Sequence, residues 1–244
     1  MAASRERAAF VTAGVAVGID VAEERKGLDI VAIDRRRRIV ASVGRATVGD
    51  VAAEVVRLVP DIVCIDSPSG WSTSGRSRAA ERHLRHFGIN AFSTGADPGP
   101  HPFYRWMRVG FSIFEALAGS FDLYKGGSAG GTAAEVFPEA SAVLLTGHLR
   151  PANVPKSVFR RRVLDEHGLD AAALSNIDQV DAALGALTGA IALEGRSSAV
   201  GDPAEGVILL PVATLPSTPL LRPSTGDQLL RMHSTGDEEA KRGN

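Results

Sequence analysis

The sequence predicts a single-domain α/β protein built on a mixed sheet, and three observations lead to this fold class. Short β-rich apolar runs come first in the chain, segments with helical periodicity follow, and one unbroken apolar run bounded by acids lies between two of the helical segments. The length of 244 residues suits one large domain that can bury a substantial core. A content of 44% hydrophobic and 23% charged residues is ordinary for a globular protein.

The first part of the chain predicts three strands, a helix and a buried strand. The three strands are predicted at residues 15–19, 27–33 and 38–43. Their short polar connections favour an antiparallel meander. Residues 48–58 carry apolar side chains at helical spacing before Pro60 ends the pattern. Residues 62–65 are apolar throughout, which is typical of a central strand buried on both faces.

The remainder of the chain predicts helices and two further strands. Helices are expected at 77–87, 104–118, 154–166 and 177–193, with another beginning at Pro138. Strands are expected at 133–137 and 206–210. We therefore expect one domain over residues 14–212. The predicted flexible tails are residues 1–13 and the Pro/Ser/Thr-rich residues 216–244.

Acidic residues stand where core elements meet the surface. Asp20 and Asp66 directly follow apolar runs, Glu135 lies inside a predicted strand, and Asp178 and Asp181 share one helix face. Burying an unpaired carboxylate is costly, so a metal ion is a simple common partner. Oxygen ligands suit Mg²⁺ or Mn²⁺. Each acid also has a structural interpretation: a turn for Asp66, a helix cap for Asp178 and an arginine partner for Glu135.

Basic residues concentrate in two stretches that suit phosphate. Residues 150–162 contain one lysine and four arginines with no acid, and residues 76–86 contain four arginines against Glu81 alone. The planar guanidinium group matches phosphate oxygens. We therefore predict substrate contacts from Lys156, Arg160 and Arg78. The alternative is that these stretches form solvated helix faces.

Five segments in order resemble the DUF429 family. They are Gly18-Ile19-Asp20-Val21-Ala22 with Lys26-Gly27-Leu28, Ile65-Asp66-Ser67-Pro68, Glu135-Val136-Phe137-Pro138-Glu139, Asp178-Gln179-Val180-Asp181-Ala182-Ala183, and Gly201-Asp202 with Glu205-Gly206 and Pro211. That family is described as predicted nucleases with a ribonuclease-H-like fold. The resemblance implies a five-stranded mixed sheet flanked by helices, with a helical insertion after strand 4. It also implies that the strands bearing Asp20 and Asp66 are neighbours.

These expectations combine into a predicted function. The catalytic candidates are Asp20, Asp66, Glu135, Asp178 and Asp181. Of these, Asp20, Asp66 and Asp181 are the predicted ligands of Mg²⁺ or Mn²⁺. We expect a metal-dependent phosphodiester hydrolase that is nuclease-like, acting on nucleic acid or a nucleotide. The alternative is an inactive protein of the same fold that binds a metal or a small phosphorylated ligand in a regulatory role.

The composition and the motifs of the sequence disfavour several other classes of protein. A net charge of −1 does not favour a broadly basic nucleic-acid surface. The longest early apolar stretch, residues 8–19, is too short for a membrane span, so no membrane association is expected. The single cysteine, Cys64, excludes an internal disulfide and suits a reducing cytoplasm. Residues 21–24 after Asp20 do not form the phosphate loop of an ATPase. A homodimer is left open.

Overall fold

The structure is a computed structural model, and it describes residues 14–73 and 75–223. Within these ranges the chain forms eight strands and six α-helices, which confirms the predicted mixed α/β class. The strands are β1 (Ala16–Asp20), β2 (Leu28–Ile33), β3 (Ile39–Ala46), β4 (Ile62–Asp66), β5 (Asp122–Leu123), β6 (Thr132–Glu135), β7 (Ser198–Asp202) and β8 (Gly206–Leu210). The helices are α1 (Val48–Leu58), α2 (Ala79–His86), α3 (Arg105–Leu117), α4 (Pro138–Thr146), α5 (Lys156–Glu166) and α6 (Ile177–Leu193).

All eight strands belong to one mixed sheet. The order is β3-β2-β1-β4-β6-β8-β7, and β5 pairs with the beginning of β6. The first three strands form the predicted antiparallel meander, β1, β4, β6 and β8 run parallel, and β7 is antiparallel to β8. The sheet is therefore larger than the five strands that the resemblance implies. Two strands had no sequence signal, because β5 has only two residues and β7 is a polar edge strand.

Helices cover the two faces of the sheet and create a core on each side. The central strands β1, β2 and β8 are buried along their whole length, as is typical when both faces are covered. One face packs against α6 together with α2, α4 and α5, and the other face packs against α1 and α3. The apolar runs of the sequence are thus explained by burial on both sides.

The helix α6 lies unusually close to β1 because glycine occupies the contact. A Cβ atom at Gly18 would collide with the backbone carbonyl oxygen of Ala182 on α6. A Cβ atom at Gly189, two turns further along α6, would lie 2.8 Å from the sulfur of Cys64. This close contact fixes the position of α6 relative to the ends of β1 and β4.

The last described residues, around Leu220 and Leu221, are hydrogen-bonded to the rest of the domain. The amide of Leu220 donates to the carbonyl of Phe87 at 3.0 Å, and the amide of Leu149 donates to the carbonyl of Leu221 at 3.0 Å. The rest of the predicted tails, residues 1–13 and 224–244, lies outside the described residues. Among the helices that are described, none has the length and apolar character needed to cross a membrane.

Candidate active site

The site begins where three parallel strands end. Asp20 and Asp66 are the last residues of β1 and β4, and they are direct partners in the register of these strands. Glu135 ends β6, where its register partner on β4 is Ile65. Because parallel strands end at the same edge of a sheet, three carboxylates from distant parts of the sequence reach one edge. The implied adjacency of the strands bearing Asp20 and Asp66 is therefore present.

A cavity of about 310 Å³ lies over this edge. Its lining contains all eight residues predicted for catalysis, metal binding or substrate contact. They are Asp20, Asp66, Arg78, Glu135, Lys156, Arg160, Asp178 and Asp181. The first turns of α5 and α6 bring Lys156, Arg160, Asp178 and Asp181 to the cavity, so that the helices close it from the side of the sheet. The roles assigned to these residues stay predictions.

The acids of α6 are matched with cations. Asp181 contacts Arg160 through one carboxylate oxygen and Lys156 at 3.1 Å through the other. Arg160 is also bound by Glu139 at 2.7 Å. One turn earlier on α6, Asp178 pairs with Lys26 at 2.8 Å. Lys156 and Arg160, which the sequence predicted as substrate contacts, are therefore both paired with carboxylates at the cavity.

Glu135 belongs to a buried network with Arg78. The guanidinium of Arg78 donates to both carboxylate oxygens of Glu135 and to Glu81 at 3.0 Å. Its Nη1 also approaches the carbonyl of Glu205 at 3.4 Å. Arg78 is only 1% exposed. Its donors are thus occupied by protein acceptors, and the sequence-based alternative of an arginine partner for Glu135 is present in the structure.

Asp20 and Asp66 differ from the other acids because no cation neutralises them. Neither forms an ion pair or a side-chain hydrogen bond with any residue in 14–73 or 75–223. Burial raises the pKa of Asp20 to about 9, and repulsion from Asp66, Asp181 and Asp178 acts in the same direction. Burial also raises the pKa of Asp66 to about 7, with repulsion from Asp181 in the same direction, while Arg160 and Lys156 oppose the shift. Lys26 opposes the shift of Asp20 in the same way, but neither carboxylate forms an ion pair with a described residue.

The carboxylates available in the cavity support a metal site with two protein ligands rather than three. Within the described ranges, no three His, Cys, Asp or Glu side chains are grouped so that they could hold a metal ion. Asp181, the predicted third ligand, has both oxygens engaged by Arg160 and Lys156. Mg²⁺ is usually bound by one or two carboxylates together with water and substrate phosphate. Asp20 and Asp66 fit that pattern.

Two polar atoms in the cavity lining are buried without a partner among the described residues. They are the Nε of Arg160 and the Oγ1 of Thr94. An unsatisfied buried donor costs about 1–3 kcal/mol, so such atoms mark positions where a ligand oxygen would be stabilised. The Nε of Arg160 is a donor only, which favours an anionic oxygen at this position.

Sequence reasoning missed the apolar wall of the cavity and some of its polar residues. Phe92, Trp106, Met107 and Phe137 line the cavity together with the charged groups. The loop over residues 93–103 contains several prolines and glycines, so no periodicity indicated that its flanks meet at one site. The lysine partner of Asp178 was also missed, because only the fold brings Lys26 to α6. The one available signal for the apolar wall in the sequence was Phe92, an aromatic residue directly before the Pro/Gly-rich loop.

Comparison with known proteins gives one match. The model of a family described as "Protein of unknown function (DUF429)" matches residues 18–205, which is most of the chain. The matched range begins at the strand that carries Asp20 and ends at Glu205, so it includes every cavity residue except Ile208. No curated protein and no solved structure shows significant similarity to the chain.

Proposed function

The chain belongs to the DUF429 family, and from this premise we propose that it is a divalent-metal-dependent phosphodiester hydrolase. One observation carries the proposal. Asp20 and Asp66 lie side by side at the ends of parallel strands, without a cationic partner among the described residues, in a cavity that also contains Lys156 and Arg160. Two adjacent carboxylates without an ion pair among the described residues, in a cavity that also contains cations for a phosphate, are an arrangement that suits metal-assisted phosphoryl chemistry.

The finer fold assignment is part of the same proposal. Five strands in the order β3-β2-β1-β4-β6 have the mixed directions and the adjacency of β1 and β4 that the resemblance implies. We propose that they form a ribonuclease-H-like core to which β5, β7 and β8 are added. The action is proposed in a reducing cytoplasm, where the buried and unpaired Cys64 needs no partner.

Asp20 and Asp66 would hold the Mg²⁺ or Mn²⁺ ion. When bound, such an ion lowers the pKa of a coordinated water and neutralises charge on a phosphate. Positive charge at this position would also offset the repulsion from neighbouring carboxylates that, together with burial, raises the pKa values of Asp20 and Asp66. Two protein carboxylates leave positions for water and for a substrate oxygen.

The cations of α5 would orient the substrate. Arg160 keeps a buried Nε donor for a phosphate oxygen, while Lys156 is half exposed at the edge of the cavity. Asp181 acts as a positioning residue, because it contacts both cations and fixes their distance from the strand ends. Glu135 and Arg78 form an ion pair in the cavity lining and hold that part of the lining in place.

The test is a hydrolysis assay with matched variants. We expect Mn²⁺- or Mg²⁺-dependent cleavage of bis(p-nitrophenyl) phosphate and of labelled DNA and RNA oligonucleotides. Asp20→Asn and Asp66→Asn should reduce cleavage to background and abolish Mn²⁺ binding in calorimetry. Asp122→Asn, which changes an exposed acid of β5 outside the cavity lining, should do neither. Full activity of Asp20→Asn would refute the proposal.

A second candidate is a binding protein that has the same fold and no turnover. The observation that favours it is the engagement of both Asp181 oxygens by Arg160 and Lys156, which leaves the described part of the chain without a three-carboxylate group. Such a protein would use the cavity for a metal or a small phosphorylated ligand in regulation. Calorimetric Mn²⁺ binding at Asp20, with no turnover across the full substrate panel, would select this candidate.

A further inference from the structure

A strip of aromatic side chains leads from the cavity to the protein surface. We define this aromatic strip as Phe92, Phe103, Tyr104, Trp71 and Phe111. Phe92 lines the cavity, and its ring centroid lies 5.9 Å from that of Phe103. From there the ring contacts continue through Tyr104 at 5.0 Å and Trp71 at 5.7 Å to Phe111 at 4.9 Å. The strip is thus a continuous path of rings that begins at the candidate site.

The strip exposes apolar area that the fold does not cover. The side chains of Phe92 and Phe103 are 66% and 48% exposed, although both are large aromatics in contact with each other. Adjacent exposed rings are unfavourable in water and mark interaction surfaces more often than single exposed residues do. A ligand that buries ring faces is therefore indicated.

Arginines are concentrated in the segment that carries three of the five rings of the strip. Residues 76–108 contain six arginines against two acids, Glu81 and Asp97. Both acids are matched within the segment, Glu81 by Arg78 and Asp97 by Arg108 at 2.6 Å. The guanidinium carbon of Arg108 also lies 5.1 Å from the ring centre of Trp71. The ligand of this surface should therefore carry negative charge as well as flat apolar groups.

Two of these arginines remain available for an anion. Arg76 and Arg105 are exposed, and neither forms an ion pair with any residue in the described part of the chain. Arg105 begins α3 directly after Tyr104 of the strip. Aromatic rings together with arginines that form no ion pair among the described residues are the combination that binds stacked bases along a phosphate backbone.

We propose that the aromatic strip binds the unpaired bases of a single-stranded nucleic acid and guides the strand into the cavity. The inference rests on the proposed function for the hydrolysis in the cavity. The aromatic strip adds the class of substrate, which is single-stranded nucleic acid. Bases of a duplex stack on each other and cannot reach these rings, whereas a single strand presents every base face. Arg76 and Arg105 contact the phosphates between the stacked bases.

The chain carries its own probe for this surface. Its only two tryptophans are Trp71, in the strip, and Trp106, in the cavity lining. We expect a thymidine oligonucleotide, titrated in EDTA at low salt, to quench tryptophan fluorescence. An abasic oligonucleotide of the same length and charge should bind at least about a hundredfold more weakly, because it loses the stacking of every base and each stacked base contributes about tenfold. A blunt duplex should bind no more tightly than the abasic strand.

Matched variants separate stacking from charge. Phe92→Ala and Phe103→Ala should each lower the affinity for the thymidine oligonucleotide by about tenfold. Neither variant should change the affinity for the abasic strand. Val56→Ala, at an exposed apolar residue of α1 away from the cavity lining, is the control. Arg105→Gln should weaken both strands equally, while Arg36→Gln, at an exposed arginine before β3, should change neither.

Three binding results would overturn the inference. They are equal affinity for the abasic strand, equal affinity for the duplex, and equal affinity for thymidine monophosphate, which would reduce the site to one nucleotide. A dimer in light scattering that Phe103→Ala dissociates would also overturn it, by assigning the strip to a second copy of the chain. Strand binding in EDTA without turnover in Mn²⁺ would refute the hydrolase alone, whereas turnover of bis(p-nitrophenyl) phosphate without strand binding would refute the strip alone.

Discussion

At the scale of single residues, the cavity contains two kinds of carboxylate. Asp178, Asp181 and Glu135 each contact a cation, whereas Asp20 and Asp66 contact none among the described residues. Burial raises the pKa of both Asp20 and Asp66, and repulsion from Asp181 acts in the same direction on each of them. The unpaired acids are the ones that a metal ion would stabilise.

We predict that Asp20 makes stability depend on pH. Its pKa is raised to about 9 in the folded protein, whereas it is about 3.9 in an unfolded chain. The unfolded state thus loses this proton first, so the free energy of unfolding in EDTA should fall as pH rises between these values, by at most about 1.4 kcal/mol per pH unit. Asp20→Asn should remove this part of the slope in urea unfolding at pH 6 to 9.

The control for that measurement is Asp122→Asn, which should keep the slope of the wild type because Asp122 is exposed on β5. Saturating Mg²⁺ should also flatten the slope in the wild type, since a cation between the carboxylates replaces the proton. An identical pH dependence for wild type and Asp20→Asn would contradict the assignment of Asp20 as an uncompensated acid.

At the scale of elements, α6 decides the geometry of the site. Its bounds at Ile177–Leu193 agree with the predicted helix 177–193. The helical periodicity of the sequence does not indicate how far this helix lies from the sheet. Glycines at the contact with β1 and β4 set that distance. A larger residue there would move α6, and with it Asp178 and Asp181, away from the strand ends.

We predict that Gly18→Ala destabilises the protein. The added methyl group meets the backbone carbonyl of Ala182, which cannot rotate away as a side chain would. Overpacking of this kind costs about 1–3 kcal/mol, which urea unfolding would detect. Gly119→Ala, where a Cβ has no atom within 4 Å, should have little effect and serves as the control. Equal stability of Gly18→Ala and wild type would show that α6 is free to shift.

At the scale of the whole molecule, one buried arginine connects segments that are far apart in the sequence. Arg78 precedes α2, Glu135 ends β6, and Glu205 lies in the turn between β7 and β8. This network therefore attaches the added β7–β8 hairpin and α2 to the centre of the sheet. Because Arg78, Glu81 and Glu135 line the cavity, this part of the site depends on the network.

We predict that Arg78→Ala lowers the free energy of unfolding by about 3–5 kcal/mol, because it leaves Glu81 and Glu135 buried without a cation. Guanidinium chloride unfolding followed by circular dichroism would measure the loss. Arg162→Ala removes an exposed pair with Glu166 and should cost less than about 1 kcal/mol. A loss of the same small size for Arg78→Ala would mean that water reaches the network.

The sequence predicted more of the fold than of the cavity. Long apolar runs and helical spacing identified the meander, the buried strand β4 and the helices, because burial on a strand or a helix face imposes a local period. The strands β5 and β7 had no such signal, since one has two residues and the other is a polar edge. The apolar wall with Phe92 and Trp106 was also missed, because it is assembled from the flanks of an irregular loop.

By itself, the sequence determined which residues stand at the ends of the core elements, because an acid after an apolar run is visible without any fold. It thereby determined that Asp20, Asp66, Glu135, Asp178 and Asp181 would need partners. Only the tertiary structure decided which of them have a cation. Contacts such as Arg78 with Glu135 and Lys26 with Asp178 join distant segments, and local periodicity contains no information about which of these segments pack together.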